Sequence, residues 1–471
     1  MSDYDLIVVG SGFGSLFFLK RYLERSRNVR VALVEWGSDR PPTQQTLDNS
    51  NSSIPVDECH NEIGGKAWNY TIGLGGGTNC WWGQTPRFLP KDFRLKSEYG
   101  VHEDWPLSYS DIEPYYCQAE AIMNVAGSET ISKLTPRSQP FPLPPHKLST
   151  PDRIMAQKMP DQFFPVSTAR ASEATADRGK CCARVACSFC PVDAKFNAYN
   201  GMSDVLRDPR VELILNAQVR EIEQSAGIAT GVVYLQDNRA TTISGDLIVL
   251  GANAIQSPAI LLRSNIQHPK TGLGLCEQLA YGVEIKLDGI NNFDGSTFTT
   301  GWHFGAYDGD HRREAAATLI QVENHAKFGL RTEYGRWRHS LPLILNIEDL
   351  PRDENAVKLD EGGKATVHFA GFSDYAKAGL DYSLSKLEDL FSPLPIEDII
   401  VHGKRGTEHH LECSLRMGAD PETSVVDPVG LHHSVRNLLV VGSAIFPTCP
   451  PANPSLTIAA LSLRSADILT S

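Results

Sequence analysis

The chain has 471 residues, 41% of them hydrophobic, with ten cysteines and a formal net charge of −12. That length supports two domains or one large interleaved body with real cores. The acidic balance argues against a nucleic-acid partner or an anionic membrane surface, and no apolar run approaches the length of a membrane span.

The chain opens on a polar Met1-Ser-Asp-Tyr-Asp5 with no secretory signal, which predicts a cytoplasmic protein, export bound to a signal-bearing partner being the alternative. Its cysteines are then expected to be thiols, metal ligands or redox groups before disulfides. Leu6 to Val9 predicts a buried parallel strand, and Leu16, Leu19 and Leu23 recur at helical spacing. Between them stand Gly10, Gly12, Phe13, Gly14 and Ser15, so the order is strand, glycine turn, helix. Glycines let backbone approach a pyrophosphate, and the helix start offers it unpaired N–H groups. A second strand runs from Val31 to Glu35, whose carboxylate can accept both ribose hydroxyls of a dinucleotide. The fingerprint does not separate a nicotinamide from a flavin.

Further along, Gly73 to Phe88 combines a glycine run with Trp81 and Trp82, as backbone running against a flat ring system would need; a glycine loop over two core tryptophans is the plain alternative. Residues 134–165 are proline-rich and predict an extended connection. Four of the ten cysteines, Cys181, Cys182, Cys187 and Cys190, then fall within ten residues. Cys182, Cys187 and Cys190 carry the C-x₄-C-x₂-C spacing of some iron–sulfur loops, with a structural zinc knot or buried thiols as competitors. Strands are expected at 210–215, 216–222, 231–235 and 247–250, the last leading through a small-residue turn into a helix from Ala259. Alternating segments such as 283–287 and 343–347 predict an antiparallel sheet. Leu438 to Val441, followed by Gly442 and Ser443, predicts a final strand of the nucleotide sheet, so the chain begins and ends in one domain.

Taken together, the N-terminal glycine turn, Gly75-Gly-Gly-Thr-Asn79, Gly251-Ala-Asn-Ala-Ile-Gln-Ser-Pro258 and the C-terminal Phe446-Pro-Thr448 and Asn453-Pro-Ser-Leu-Thr-Ile458 blocks resemble the glucose–methanol–choline (GMC) flavin oxidoreductases. The resemblance implies an α/β chain, α+β overall. Its Rossmann-like FAD-binding domain would comprise residues 1–100, 200–275 and 405–471, interleaved with an antiparallel substrate domain over 276–404. Residues 101–199 would be a connection carrying the cysteine loop. It implies FAD held by Gly10, Gly12, Phe13, Gly14, Ser15, Glu35, Gly76, Gly77, Thr78, Asn79, Trp82, Val219, Ala252, Gly442, Ser443 and Pro454. No histidine stands beside Asn79-Cys-Trp-Trp82, which favours non-covalent FAD. The family's active-site histidine falls on His410, with Arg416-Met-Gly418 setting the register and Cys413-Ser414 in place of Gly-Thr; its partner falls on Asn453. Imidazole suits the removal of an alcohol proton near neutral pH, though His409 is an adjacent candidate.

Adjacent cysteines followed by a third resemble the family's sugar dehydrogenases that carry a three-iron cluster on residues matching Cys181, Cys182 and Cys187. Cys190 would either make it a four-iron cluster or merely line the site. The implied activity is oxidation of an alcohol on a sugar, glycoside or cyclitol, with electrons passing to an external acceptor such as a cytochrome. The alternatives are an oxygen-using oxidase with structural cysteines and a non-redox lyase of the same fold.

Overall fold

A computed structural model describes residues 2–266, 268–325 and 335–471. Strand Tyr4–Val9 lies at the centre of a sheet, flanked in parallel by Val31–Val34 and by the C-terminal half of Arg239–Leu250. Val211–Ile214 extends one side and Leu438–Val440 the other, both parallel. Leu6, Ile7 and Val8 have no exposed surface. A strand covered on both faces needs continuous apolar residues, so alternation is absent here. The N-terminal half of Arg239–Leu250 leaves the parallel sheet to pair antiparallel with Ile228–Gln236, which pairs in turn with Gln218–Ser225. Helices Phe13–Arg25 and Ser455–Leu469 pack together, and Tyr109–Met123 packs against the latter. The first and last long helices of the chain thus share one domain.

A second sheet is wholly antiparallel among the described residues. Its order is Ile396–Lys404, Leu279–Leu287, Ser340–Ile347, Thr318–Glu323, Thr299–His303 and Phe163–Pro165. Successive side chains point to opposite faces. Ile320 and Val322 therefore join Leu343 and Leu345 in a core of this domain's own, while Leu319 and Trp302 belong to the core of the first domain. Gln321 shares the face of Leu319, so a polar side chain is turned toward the first domain.

Three local expectations shift. The proline-rich stretch is not extended throughout: Ser149 accepts the Asp152 N–H and starts helix Thr150–Lys158 with a proline in its first turn, and Phe163–Pro165 supplies the edge strand above. The helix expected from Ala259 starts at Asn253, whose side chain accepts the N–H groups of Ile255 and Gln256; Pro258 lies inside it. Pro42–Leu47 is a short helix within an expected loop. No helix among the described residues is long and apolar enough to cross a membrane.

Candidate active site

The glycine turns pack against one another. Gly10 has φ +86°, and a β-carbon there would lie 2.6 Å from the Gly251 carbonyl oxygen. A β-carbon on Gly14 would lie 2.8 Å from the Gly442 nitrogen, and one on Gly76 (φ +47°) 3.1 Å from the Gly12 Cα. Only glycine permits these approaches, and at Gly10 and Gly76 the positive φ favours it as well. By contrast, β-carbons on Gly12, Gly77 and Gly442 would meet nothing within 4 Å. Gly12, Gly76 and Gly442 each precede a helix or 3₁₀ turn, and none of these starts has a side-chain cap. Uncapped N–H groups beside open space form a cradle suited to a pyrophosphate.

Ser11 ties this cradle together. Its N–H and hydroxyl donate to Glu35 at 3.1 and 2.7 Å, and its oxygen accepts the Gly75 N–H at 3.0 Å. Glu35 also accepts the Gly37 N–H, and burial raises its pKa against these bonds. Val219 is buried two residues beyond Ala217, whose N–H donates to the Glu35 carbonyl. Ala252 lies beside Gly10, and buried Ser15 faces Gly251. Thr78 is held by the Gly75 carbonyl and the Ala198 N–H; Asn79 donates to the Leu74 carbonyl and leaves its own oxygen unpartnered. Phe13 meets the edge of Trp81 at 4.7 Å. Trp82 stands apart: it is 37% exposed, its indole N–H donates to Ser188 at 3.2 Å, and it packs on the cysteine loop. The residues present fit a dinucleotide such as FAD.

The turn at Gly442 leads to the second part of the site. Ser443 Oγ donates to the Leu411 carbonyl at 2.6 Å, which places His410 at the border of the cradle. His410 Nε2 lies 3.2 Å from Asn453 Nδ2 and Nδ1 lies 2.9 Å from Gln278 Oε1. Asn453 immediately precedes buried Pro454, where helix Ser455–Leu469 begins. His409 is exposed, so the fold brings His410 and not its neighbour to Asn453. The His410 loop is fixed from below by Glu277, which accepts the N–H groups of Glu408 and His410 and the Thr407 hydroxyl, and is paired with buried Lys66. Burial pulls the His410 pKa down to about 4, with Glu277 opposing that shift. Sequence reasoning singled out none of Lys66, Glu277 or Gln278, because a lone Lys, Glu or Gln carries no pattern.

The cysteine loop is arranged differently. Cys182 is exposed, Cys187 buried, and Cys181 and Cys190 intermediate. Cys187 opens a short 3₁₀ turn, and burial pushes its thiol up to about 11 while Arg170 and Lys195 pull it down. Among the described residues no three Cys, His, Asp or Glu side chains are grouped to hold a metal ion. The thiols as placed do not fit an iron–sulfur cluster.

A parallel nucleotide sheet, an uncapped glycine cradle and a His–Asn pair at its border define a dinucleotide-dependent oxidoreductase. Models for the N- and C-terminal parts of the GMC oxidoreductase family match residues 161–280 and 370–462. The fructose dehydrogenase large subunit of Gluconobacter japonicus is 28% identical, over 84% of this chain and 80% of its own. The 6‴-hydroxyparomomycin C oxidase of Streptomyces lividus is 27% identical, over 99% and 91%. Among solved structures, pyridoxine 4-oxidase from Mesorbium loti shares the fold with a TM-score of 0.67 at 16% identity over 98% of both chains. Formate oxidase of Aspergillus oryzae does so with a TM-score of 0.68 at 12% identity, over 100% of this chain and 98% of its own. The chain belongs to the GMC oxidoreductases, FAD-dependent enzymes acting on CH–OH groups.

Proposed function

We propose that the protein is a dehydrogenase oxidising a primary or secondary alcohol of a sugar, glycoside or cyclitol, with His410 as its base and Asn453 as its positioning partner. The observation that carries this is the His410 ring held against Asn453 beside the Gly442–Ser443 turn. Bound FAD supplies the two-electron acceptor for the hydrogen on the alcohol carbon. His410 takes the hydroxyl proton on Nε2, the nitrogen beside Asn453. Its depressed pKa keeps that lone pair free at neutral pH, and Glu277, close to the ring, steadies the charge once the proton has arrived. The Asn453 amide can hydrogen-bond the same substrate oxygen without competing for the proton. Relatives named for fructose, paromamine and 6‴-hydroxyparomomycin C support a carbohydrate-type alcohol.

In this reading electrons leave to an external acceptor such as a cytochrome, and loop 181–190 would have to draw its thiols together from their present placement to ligate an iron–sulfur cluster, three-iron or, with Cys190, four-iron. Four soft donors within ten residues support that assignment, as do buried Arg170 and Lys195, whose charges would balance thiolates. The second reading is an oxygen-using oxidase, favoured by the oxidases among the relatives. Anaerobic addition of sugars, glycosides and cyclitols should bleach the flavin, and iron and acid-labile sulfide should accompany it. Bleaching without iron, with hydrogen peroxide formed in air, selects the oxidase; no bleaching by any alcohol removes both.

A further inference from the structure

The ring nitrogens of His410 face two side-chain amides, and an amide seen alone can present either its oxygen or its nitrogen. The surroundings remove that freedom. The Trp302 indole N–H can only donate, and it donates to Gln84 Oε1 at 3.1 Å. Gln84 must then turn its NH₂ to the other side, where Nε2 donates to Gln321 Oε1 at 2.8 Å. Gln321 Nε2 donates in turn to Asn453 Oδ1 at 3.4 Å, which leaves the Asn453 NH₂ 3.2 Å from His410 Nε2. An amide NH₂ does not accept, so Nε2 keeps its lone pair and the ring hydrogen sits on Nδ1. From there it is donated to Gln278 Oε1 at 2.9 Å, and Gln278 Nε2 ends the run on the Pro450 carbonyl at 2.8 Å, a group that can only accept.

We propose that this one-way chain, from the Trp302 indole to the Pro450 carbonyl, locks His410 in its Nδ1–H tautomer, with Gln84, Gln321 and Gln278 as positioning residues. Neither end can reverse. Turning over any single amide sets acceptor against acceptor on one side and donor against donor on the other. Trp302, Gln84, Gln321 and Gln278 are only 1, 6, 4 and 2% exposed, so a broken link leaves a buried polar group unpaired. The strands supply the geometry, since Trp302 stands directly opposite Gln321 across Thr299–His303 and Thr318–Glu323. The catalytic meaning of the lock rests on His410 being the base; the tautomer itself does not.

The test uses flavin-loaded enzyme carrying ¹⁵N-labelled histidine, with the His410 resonances identified by their loss in His410→Asn. The wild type should show one neutral form, protonated on Nδ1. Trp302→Phe keeps an aromatic ring in the core and removes the donor that orients Gln84. With Gln278 still oriented by the Pro450 carbonyl the ring should stay Nδ1–H; Trp302→Phe combined with Gln278→Met frees both sides and should bring up the second tautomer and slow flavin reduction about fivefold, the effect of one neutral hydrogen bond, with flavin content unchanged. Gln321→Met with Gln278→Met breaks the first side one link nearer and should act in the same direction, which covers a failure of Trp302→Phe to fold. Wild-type His410 protonated on Nε2 overturns the proposal, as does a single unchanged tautomer in a folded variant broken on both sides. Wild-type reduction by His410→Asn would instead overturn the base assignment and leave the tautomer result standing.

Discussion

The glycine turns at residues 10–15, 75–79 and 442–443 come from three distant parts of the chain and pack against one another. The four thiols of loop 181–190 are close in sequence and are not grouped around a point. The difference is one of what each site is made from. A cradle of backbone N–H groups needs only turns of the right dihedral angles and the absence of side chains, both of which glycine supplies locally. A ligand shell of side chains needs backbone path and rotamers to agree at every donor. Here one donor is buried and another exposed.

The sharpest way to probe the cradle is Gly12→Val. Its side chain would point into open space, so the protein should fold and be purified without FAD, read as loss of flavin absorbance with secondary structure retained. Gly10→Val, which drives a side chain toward the Gly251 carbonyl at positive φ, should lose the folded domain itself. If Gly12→Val retains wild-type flavin, the cradle does not hold the cofactor.

His410→Asn should keep flavin and slow its reduction by about 10²–10⁴-fold, the range for losing a positioned general base. In the wild type, burial depresses the pKa of this ring to about 4. The base form therefore persists from neutral pH downward, and the reduction rate should stay level to about pH 5 and fall as pH drops through about 4. Lys66, Arg405, His409 and Glu277 are the charged or titratable groups acting on it. A fall centred near pH 6.5 in stopped-flow reduction would show the ring to be solvated as in a free histidine.

Glu277→Gln leaves buried Lys66 without its counter-charge while keeping an acceptor for the His410 N–H. Breaking a buried pair costs about 3–5 kcal/mol. The melting temperature should drop clearly, with a smaller loss of reduction rate than in His410→Asn. Cys182→Ser is the mildest change. At an exposed position it should alter stability by no more than about 0.5 kcal/mol, yet lower iron content with flavin retained if the loop holds a cluster.

Much of this was legible in the order of residues. The strand and turn at 6–15, the carboxylate at 35 and the final strand at 438–440 follow from local runs of apolar and small residues. The helix starts at Ser149 and Asn253 are carried by capping side chains within the sequence, and the prolines near them obscured both. Trp81 and Trp82 follow the same glycines, and alternate directions along the backbone send Trp81 toward Phe13 and Trp82 toward Ser188.

The amino-acid sequence by itself determined where backbone could bend sharply and approach a phosphate, because the dihedral freedom of glycine is a property of the residue. Only the tertiary structure decided what surrounds His410. Asn453 is 43 positions away, Gln278 132, and Gln321 and Gln84 lie on still other segments. Single amides joined end to end leave no spacing to recognise, and they meet only when the antiparallel sheet closes over the nucleotide domain.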